Sequence, residues 1–420
     1  MLNRILPRRC KVFPHQEVTR TNPEEVDPRE VGMTREQVDR IWKSVVSYYK
    51  TGLQPGMSLC IRRKGRILLD RAIGHARGNS PGALRPKGLV QATPETWFNL
   101  FSASKSVTAM LIHLLLERKQ LRLEERVAEY LPDFARKGKG DVTVRHLLSH
   151  KAGIARPPSS KVLDPATLKK PGAILNAIYD MELQHEPGTV LAYHAVTTGF
   201  ILEAILEEVT GQGINQFLDT EIRKPLGFTT LTYGVEDHQV DQIAESALTG
   251  PKAHFPFRQI LMRSLGVELD RCIEISNDPD FLTTPVPSGN VIATANEVSR
   301  FYELLLRGGT LDGVKIFEPE TIARAVRVEC SGEIDRIIML PIPYSLGFML
   351  STDPVGLYGF RAPRAFGHLG FTNVLGWGDP ERDISVGFMN NGKPFVTPEL
   401  LIWLNIVRTV AQQTPRDCID

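Results

Sequence analysis

Cysteine is scarce in this sequence of 420 residues, and its five cysteines are widely scattered: Cys10, Cys60, Cys272, Cys330 and Cys418. An odd number without paired spacings argues against a disulfide framework and against a cysteine-based metal cluster. We therefore expect reduced thiols, as in a cytoplasmic protein, and neither a bound metal nor another cofactor.

Excess charge and long apolar runs are missing as well. The 50 lysines and arginines nearly balance 48 acidic residues, so the net charge of +2 predicts no general attraction to nucleic acid. The basic stretch Met1–Lys11 is followed by prolines and polar residues, whereas a secretory signal would continue with an apolar run. We expect no signal peptide and no membrane span. We interpret the basic N-terminus as a frayed tail, and the alternative is an organelle-targeting or membrane-surface segment.

Length and composition are typical of a globular protein with two lobes, since 42% of the residues are hydrophobic and 23% are charged. Near the start, Thr34 and Gln37 form a capping box that predicts a helix. Two strand-like runs, Gly56–Arg62 and Arg66–Ala72, flank Lys64-Gly65 and predict a hairpin.

The rest of the chain changes from helical to strand-like patterns. Between Asp141 and Pro285 the pattern is mostly helical and includes a helix over Val196–Val209, which Gly211 closes. The later predicted elements are a capping box at Thr294–Glu297, strands at Ser345–Leu350, Thr372–Trp377 and Ile384–Met389, and a final helix at Leu400–Val410.

This order of elements predicts an α+β fold, in which an antiparallel sheet is built from both chain ends and flanked by terminal helices. A mostly helical domain would be inserted between the two halves of the sheet. The predicted boundaries are an irregular tail at 1–32, a mixed α/β sheet domain from 33–140 and 286–420, and the helical insertion at 141–285. A cleft between such lobes is a favoured place for an active site.

The strongest chemical signal is the spacing of Ser102 and Lys105, because residues three apart lie on one face of a helix. A serine becomes nucleophilic when a base takes its proton, and a lysine kept neutral by burial can be that base. The apolar run that follows would put Ser102 at a helix N-terminus, where its N–H can stabilise negative charge. The ordinary alternative is a serine N-cap followed by a common helical lysine.

Two other short patterns compete with this interpretation. Gly78–Gly82 has the Gly-x-Ser-x-Gly form of a nucleophile elbow, but Pro81 lacks the N–H that the oxyanion hole of such an elbow needs. We interpret this segment as a surface loop. His146 and His150 have the spacing of a helical zinc pair, yet no third ligand accompanies them, so structural histidines are the preferred interpretation.

Two later stretches can supply what a Ser-Lys site still needs. Tyr193 follows a Pro-Gly turn, and a phenol beside a lysine can relay protons. His368 and Gly370 precede a strand-like run, whose edge can offer an N–H to a substrate oxygen. Taken singly, these are equally compatible with a packed loop tyrosine and with a buried histidine in a glycine bend.

The three stretches together resemble a known family. Ser102-Ala103-Ser104-Lys105, Tyr193-His194-Ala195 and His368-Leu369-Gly370 are similar to the three motifs of the serine β-lactamase/penicillin-binding-protein superfamily. Their order and separations fit as well, and the resemblance extends over roughly Met33–Val410.

The resemblance implies a role for each matching residue. Ser102 would be the acylated nucleophile, Lys105 its partner in proton abstraction, and Tyr193 a general base and acid. The backbone N–H groups of Ser102 and Phe371 would form the oxyanion hole. Substrate contacts would come from His368, Gly370 and His194.

Two departures from the family pattern point to the substrate. Members that act on lactams commonly have asparagine at the position of Ala195 and lysine at that of His368, and both changes remove polar contacts to an acylamido carboxylate. The branch with these residues resembles carboxylesterases, so we expect a serine hydrolase that cleaves small-molecule carboxylic esters. The alternatives are a β-lactamase, D-amino-acid peptidase or amide hydrolase of the same superfamily, and a catalytically silent scaffold. The oligomeric state is left open.

Overall fold

A computed structural model describes residues 8–81, 88–158, 163–252, 257–395 and 399–417. The strands are β1 (Thr19–Thr21), β2 (Gly56–Arg63), β3 (Arg66–Arg77), β4 (Val90–Gln91), β5 (Phe98–Asn99), β6 (Thr232–Tyr233), β7 (Val291–Ala293), β8 (Thr310–Leu311), β9 (Val314–Lys315), β10 (Met349–Leu350), β11 (Val355–Gly356), β12 (Gly359–Phe360), β13 (Phe366–Leu369), β14 (Leu375–Asp379) and β15 (Ile384–Asn390).

The helices are α1 (Arg35–Tyr49), α2 (Ser104–Glu117), α3 (Val127–Tyr130), α4 (Val144–Leu148), α5 (Pro165–Leu168), α6 (Pro171–Tyr179), α7 (Thr197–Thr210), α8 (Ile214–Leu218), α9 (Lys224–Leu226), α10 (Phe257–Leu265), α11 (Leu269–Ser276), α12 (Pro279–Thr283), α13 (Ala295–Leu306), α14 (Pro319–Val326) and α15 (Leu400–Gln413). Among the described residues, no helix is both long and apolar enough to cross a lipid bilayer.

The main sheet combines both ends of the chain. Its strand order is β1-β3-β2-β15-β14-β13-β10, with β4 paired to β3, and its pairings are antiparallel. Strand β2 from the first part of the chain pairs with β15 from the last part over seven residue pairs, from Ile384–Arg63 to Asn390–Met57. The predicted α+β fold with a sheet from both chain ends is thus confirmed.

Helices cover both faces of this sheet. On one face, Val45 of α1 and Trp403 of α15 share a core with the alternate residues of β2 and β15. On the other face α13 lies very close, because a Cβ at Gly387 would come within 2.3 Å of the Ala295 carbonyl oxygen. Glycine at this position lets the helix backbone approach the strand.

Helix α2 is buried on all sides, since every residue from Ser104 to Leu115 is buried. A helix that is apolar all round belongs in a protein interior. The chain between β5 and β7 passes through α2–α12 and returns with β6 and β7 to form a small sheet in the order β5-β7-β6. The middle of the chain is therefore mainly helical, as expected, while the division into domains stays a prediction.

Several local predictions are confirmed. The capping box at Thr34 and Gln37 is formed in both directions. The hairpin turn has positive φ at both Lys64 and Gly65, which matches the twist of the flanking strands. The helix expected over Val196–Val209 is α7, and the left-handed Gly211 ends it one residue later than predicted.

Other predictions need correction. At Thr294 only half of the capping box forms, because the Glu297 carboxylate accepts hydrogen bonds from the backbone of Thr230 and Leu231 instead of returning to the N-cap. The expected strand Thr372–Trp377 starts later, at Leu375, because the chain turns through positive φ at Thr372 and Asn373.

Two further segments are shorter or less regular than a simple pattern suggests. Only Met349–Leu350 of the expected strand Ser345–Leu350 forms ladder pairs, and Gly347 there has a φ of 116°. In the loop Gly78–Gly82 the residues up to Pro81 lie outside helices and strands, while Gly82 is not among the described residues.

Candidate active site

Ser102 lies in a tight turn immediately before α2. The turn is a short 3₁₀ segment, Phe101–Ala103, and it begins with a φ of 49° at Phe101. This left-handed conformation is unfavourable for a bulky residue, and such strain occurs typically at functional sites. A hydrogen bond of 2.9 Å from the Phe101 N–H to Asn99 Oδ1 holds the turn.

Lys105 lies one helical turn further on and points back at this serine. Its Nζ is 3.4 Å from Ser102 Oγ, 2.8 Å from the Ala195 carbonyl oxygen and 3.0 Å from the Ser288 carbonyl oxygen. Burial lowers the pKa of Lys105 from 10.5 to about 7. In the neutral form two N–H bonds suffice for the two carbonyl oxygens, which leaves the lone pair for the serine proton.

Tyr193 is the third side chain at this position, next to Ser102 and Lys105. Lys105 Nζ lies 5.0 Å from the centre of the Tyr193 ring. Burial raises the pKa of the phenol well above its ordinary value, while the Ser102 hydroxyl acts to lower it. The phenol is thus a neutral donor at ordinary pH, and the structure brings together the three residues that the sequence motifs predict.

His368 on β13 faces the same space. Its Nδ1 lies 2.8 Å from the Leu369 carbonyl oxygen and therefore carries the proton, so Nε2 is a buried acceptor without a partner among the described residues. Burial, with a smaller contribution from Lys105, lowers the pKa of His368 to about 3. The ring is consequently neutral and cannot replace a lysine cation.

Gly370 brings the end of β13 against the nucleophile turn. A Cβ at this position would lie 2.3 Å from the Leu100 carbonyl oxygen, two residues before the serine. The next residue, Phe371, packs its ring 5.7 Å from that of Phe101. This close approach is compatible with the predicted oxyanion hole between the N–H groups of Ser102 and Phe371, which stays a prediction.

His194 does not lie where the sequence analysis expects a substrate contact. Its side chain has no exposed surface, its Nε2 accepts a hydrogen bond of 3.1 Å from the Ile154 N–H, and its ring stacks on His150. Burial lowers the pKa of His194 to about 3. The His194 side chain is therefore part of the buried interior, where it packs against His150.

The two histidines of the rejected zinc pattern have separate surroundings. His146 accepts a hydrogen bond from the Thr143 N–H at the start of α4. His150 is enclosed by Tyr193, His194 and Tyr344, with its ring centre 4.8 Å from that of Tyr193. His150 therefore supports the tyrosine by packing.

A cavity opens beside Ser102. Its walls are mainly apolar, with contributions from both the nucleophile turn and α10–α12: Phe101, Val196, Leu265, Ile275, Phe281 and Phe371. The described lining residues include no charged side chain, and Cys272 and Ser276 supply its few polar groups together with Ser102 and Ser288. Such a cavity can receive an uncharged apolar group attached to a carbonyl at Ser102.

Sequence reasoning missed two contributors to the site. The Ser288 carbonyl anchors Lys105, and its hydroxyl donates to the Val196 carbonyl before α7. The Asp335 carboxylate accepts the backbone N–H of Tyr193. Neither residue belongs to a recognisable motif, and both are far from Ser102 in sequence, so no local signal could have found them.

A comparison with models of protein families identifies the family to which the chain belongs. The family model described as Beta-lactamase matches residues 45–411. The chain belongs to the beta-lactamase family. This family match spans all three motifs, from the Ser102 turn to β13, and most of the sheet.

The individual proteins to which the chain is similar have names that point to different activities. The chain is 27% identical over 312 residues to the "Esterase/beta-lactamase LipL" of Mycobacterium tuberculosis, covering 70% of this chain and 68% of that protein. It is also 27% identical to a family VIII carboxylesterase of known structure, with a TM-score of 0.75 over 90% of this chain and 98% of the other.

A penicillin-binding-protein homologue from Caulobacter crescentus has the same fold. Its TM-score is 0.76 at 24% identity, and the alignment covers 91% of this chain and 99% of the homologue. The fold is therefore shared by proteins with esterase names and proteins with penicillin-binding names. The fold alone does not indicate which activity this protein has, so the residues of the site have to be considered.

Proposed function

We propose that this protein is a serine hydrolase that cleaves uncharged carboxylic esters through an acyl-enzyme on Ser102. The observation that carries the proposal is the meeting of Ser102, Lys105 and Tyr193 at the end of an apolar cavity. The esterase names of LipL and of the family VIII structure support it.

Acylation begins when neutral Lys105 takes the Ser102 proton and Oγ attacks the ester carbonyl carbon. The carbonyl oxygen becomes an oxyanion, which the N–H groups of Ser102 and Phe371 stabilise. As the C–O bond breaks, the Tyr193 phenol protonates the leaving alcohol and recovers its proton from the Lys105 ammonium. Water then attacks the acyl-enzyme by the reverse proton transfers and releases the acid.

The surroundings of the reacting atoms favour an ester over a substrate with a carboxylate. Ala195 has no side chain that could hold an acylamino group, and His368 is neutral and presents an acceptor. A buried acceptor repels a carboxylate but can accept a hydrogen bond from an alcohol. The apolar cavity accommodates the acyl side of the substrate.

β-Lactam hydrolysis is the second candidate function. It is favoured by the double name of LipL, which matches more than two thirds of this chain. The chemistry at Ser102 would be the same, with the lactam nitrogen as the leaving group. The two functions therefore differ in the recognition groups at Ala195 and His368 and not in the nucleophile.

Parallel turnover of p-nitrophenyl butyrate and nitrocefin tests the proposal. We expect butyrate ester hydrolysis with a kcat/KM well above that for nitrocefin, and loss of both activities in Ser102→Ala. A larger kcat/KM for nitrocefin would assign the protein to the second candidate. Absence of fluorophosphonate labelling at Ser102 in the folded protein would instead favour a silent scaffold.

A further inference from the structure

Asp335 is a fully buried carboxylate in the segment between α14 and β10. Its Oδ1 accepts three backbone N–H groups, from Tyr193 at 3.1 Å, Ile337 at 2.8 Å and Ile338 at 3.0 Å. Its Oδ2 is 3.4 Å from the Tyr344 hydroxyl. Among the described residues it has no ion pair, so backbone donors and this hydroxyl hold the carboxylate.

Two of these hydrogen bonds have a local explanation, whereas the third does not. Asp and Asn side chains commonly accept N–H groups two or three residues later and thereby close a turn. Ile337 and Ile338 are such donors, and the Met339 N–H to the Asp335 carbonyl completes the turn. Tyr193, however, is 142 residues away in sequence, so its N–H is brought to Asp335 by the tertiary fold.

The segment that carries Tyr193 is held from two sides. On one side the Arg336 N–H donates to the Leu191 carbonyl at 3.0 Å, next to the Asp335 contact. On the other side the Ala192 N–H donates to the His150 carbonyl at 3.1 Å. Successive residues thus alternate between two partner segments, as in a strand held between neighbours.

The tyrosine hydroxyl itself contributes little to this fixation. The Tyr193 hydroxyl forms no hydrogen bond with the described residues, although the Ser102 hydroxyl is near enough to lower the pKa of the phenol. Its direction therefore depends on ring packing against His150 and His368, and on the backbone that Asp335 holds. A free hydroxyl is needed in a proton relay, because the reacting oxygens must become its partners.

We propose that Asp335 is a positioning residue that holds the Tyr193 backbone so that the phenol faces Ser102 and Lys105. The inference rests on the proposed function, in which Tyr193 transfers protons. Asp335 touches neither the substrate nor the reacting atoms. Misplacement of a catalytic group by about 1 Å costs up to about 10²-fold in rate.

A double-mutant cycle tests this inference with kcat and KM for p-nitrophenyl butyrate. We expect Asp335→Ala to lower kcat by about 10²-fold with little change in KM. In a Tyr193→Phe background the same substitution should cost almost nothing further, because the phenol that it misplaces is already absent. Tyr344→Phe is the matched control, since it removes only the Oδ2 contact, and its kcat should stay near the wild-type value.

The outcomes separate the inference from the proposed function. An equal loss from Asp335→Ala in both backgrounds would mean a general structural role and would overturn the inference. Wild-type activity in Tyr193→Phe would overturn the assigned role of the phenol and the inference with it. If Asp335→Ala does not fold, the cycle is read with Asp335→Asn, which keeps the volume and one acceptor oxygen. Its smaller loss should also vanish in the Tyr193→Phe background.

Discussion

Two lysines of this protein can be compared, because both are buried and have similar surroundings. Burial lowers the pKa of both Lys105 and Lys393 from 10.5 to about 7. Each ammonium lies near an aromatic ring, at 5.0 Å from the centre of Tyr193 and at 4.6 Å from that of Phe101. Each also donates to backbone carbonyl oxygens.

The two lysines differ in the other groups that surround their amines. Lys105 Nζ lies 3.4 Å from the hydroxyl of Ser102, and Ser102 lines the apolar cavity. Lys393 has no exposed surface. The two hydrogen bonds that its Nζ forms with the described residues both go to Asn390, one to the carbonyl and one to the side chain. Its titratable neighbour is the Cys272 thiol, whose pKa burial raises to about 12.

A lowered lysine pKa is therefore not sufficient to identify a catalytic base. Desolvation makes both amines available as bases at neutral pH. Only Lys105 combines this property with a hydroxyl that can attack a substrate and with a space that a substrate can enter. The comparison shows why geometry has to be considered before pKa when a general base is assigned.

Removing the nucleophile should give the largest effect on activity. Ser102→Ala should abolish ester hydrolysis, because Lys105 then has no hydroxyl to activate as the nucleophile. The thermal midpoint should change little, since the half-buried hydroxyl loses only a small contact. Turnover and thermal unfolding of the purified variant check both statements, and residual wild-type turnover would contradict the assignment of Ser102.

Replacing each lysine by a neutral side chain tests directly whether only one of the two amines acts in catalysis. Lys105→Met should lower kcat by about 10²–10⁴-fold, the range typical of general acid–base groups. Lys393→Met is the matched control, because it removes an equally buried amine that contacts no reacting atom, and its kcat should change far less. Comparable losses in the two variants would show that the loss in Lys105→Met reflects general damage to the protein.

The pH dependence of kcat/KM sharpens the same point. Since the base must be unprotonated, kcat/KM should rise with pH through a midpoint at about 7, where Lys105 titrates, and level off above it. The profile of Lys393→Met should have the same midpoint as the wild type. A midpoint that moves in Lys393→Met, or a profile that is flat from pH 5 to about 9, would contradict Lys105 as the titrating base.

The smallest effect concerns stability. A lysine whose pKa falls from 10.5 to about 7 on folding binds fewer protons in the folded state between these pH values. Stability should therefore rise with pH through this window, by up to about 1.4 kcal/mol per pH unit for each such lysine. Lys393→Met should reduce the slope of the thermal midpoint against pH between 7 and about 10, while an unchanged slope would argue against the lowered pKa.

The local features of the fold were predictable because they depend on neighbouring residues. The capping box at Thr34 and the hairpin at Lys64-Gly65 form as expected. The box at Thr294 failed because a distant segment, Thr229–Leu231, competes for the Glu297 carboxylate. A side chain chooses its partners in the tertiary structure, and its spacing along the chain cannot reveal a competitor.

The candidate site likewise has features that follow from neighbouring residues and features that depend on the tertiary structure. Ser102 and Lys105 were predictable from their helical spacing, and Tyr193 from its motif. The position of His194 was not, since motif membership does not tell whether a side chain faces the cavity or the interior. Asp335 and Ser288 carry no motif and act through backbone contacts, so only their positions in the fold reveal them.

By itself the sequence determined that a hydroxyl and an amine lie one helical turn apart at the start of a buried apolar helix. This spacing is a property of local backbone geometry. The tertiary structure decided that the amine loses its proton near neutral pH and that the phenol meets it. Both depend on desolvation and on carbonyl oxygens at Ala195 and Ser288, which are 90 and 183 residues away from Lys105.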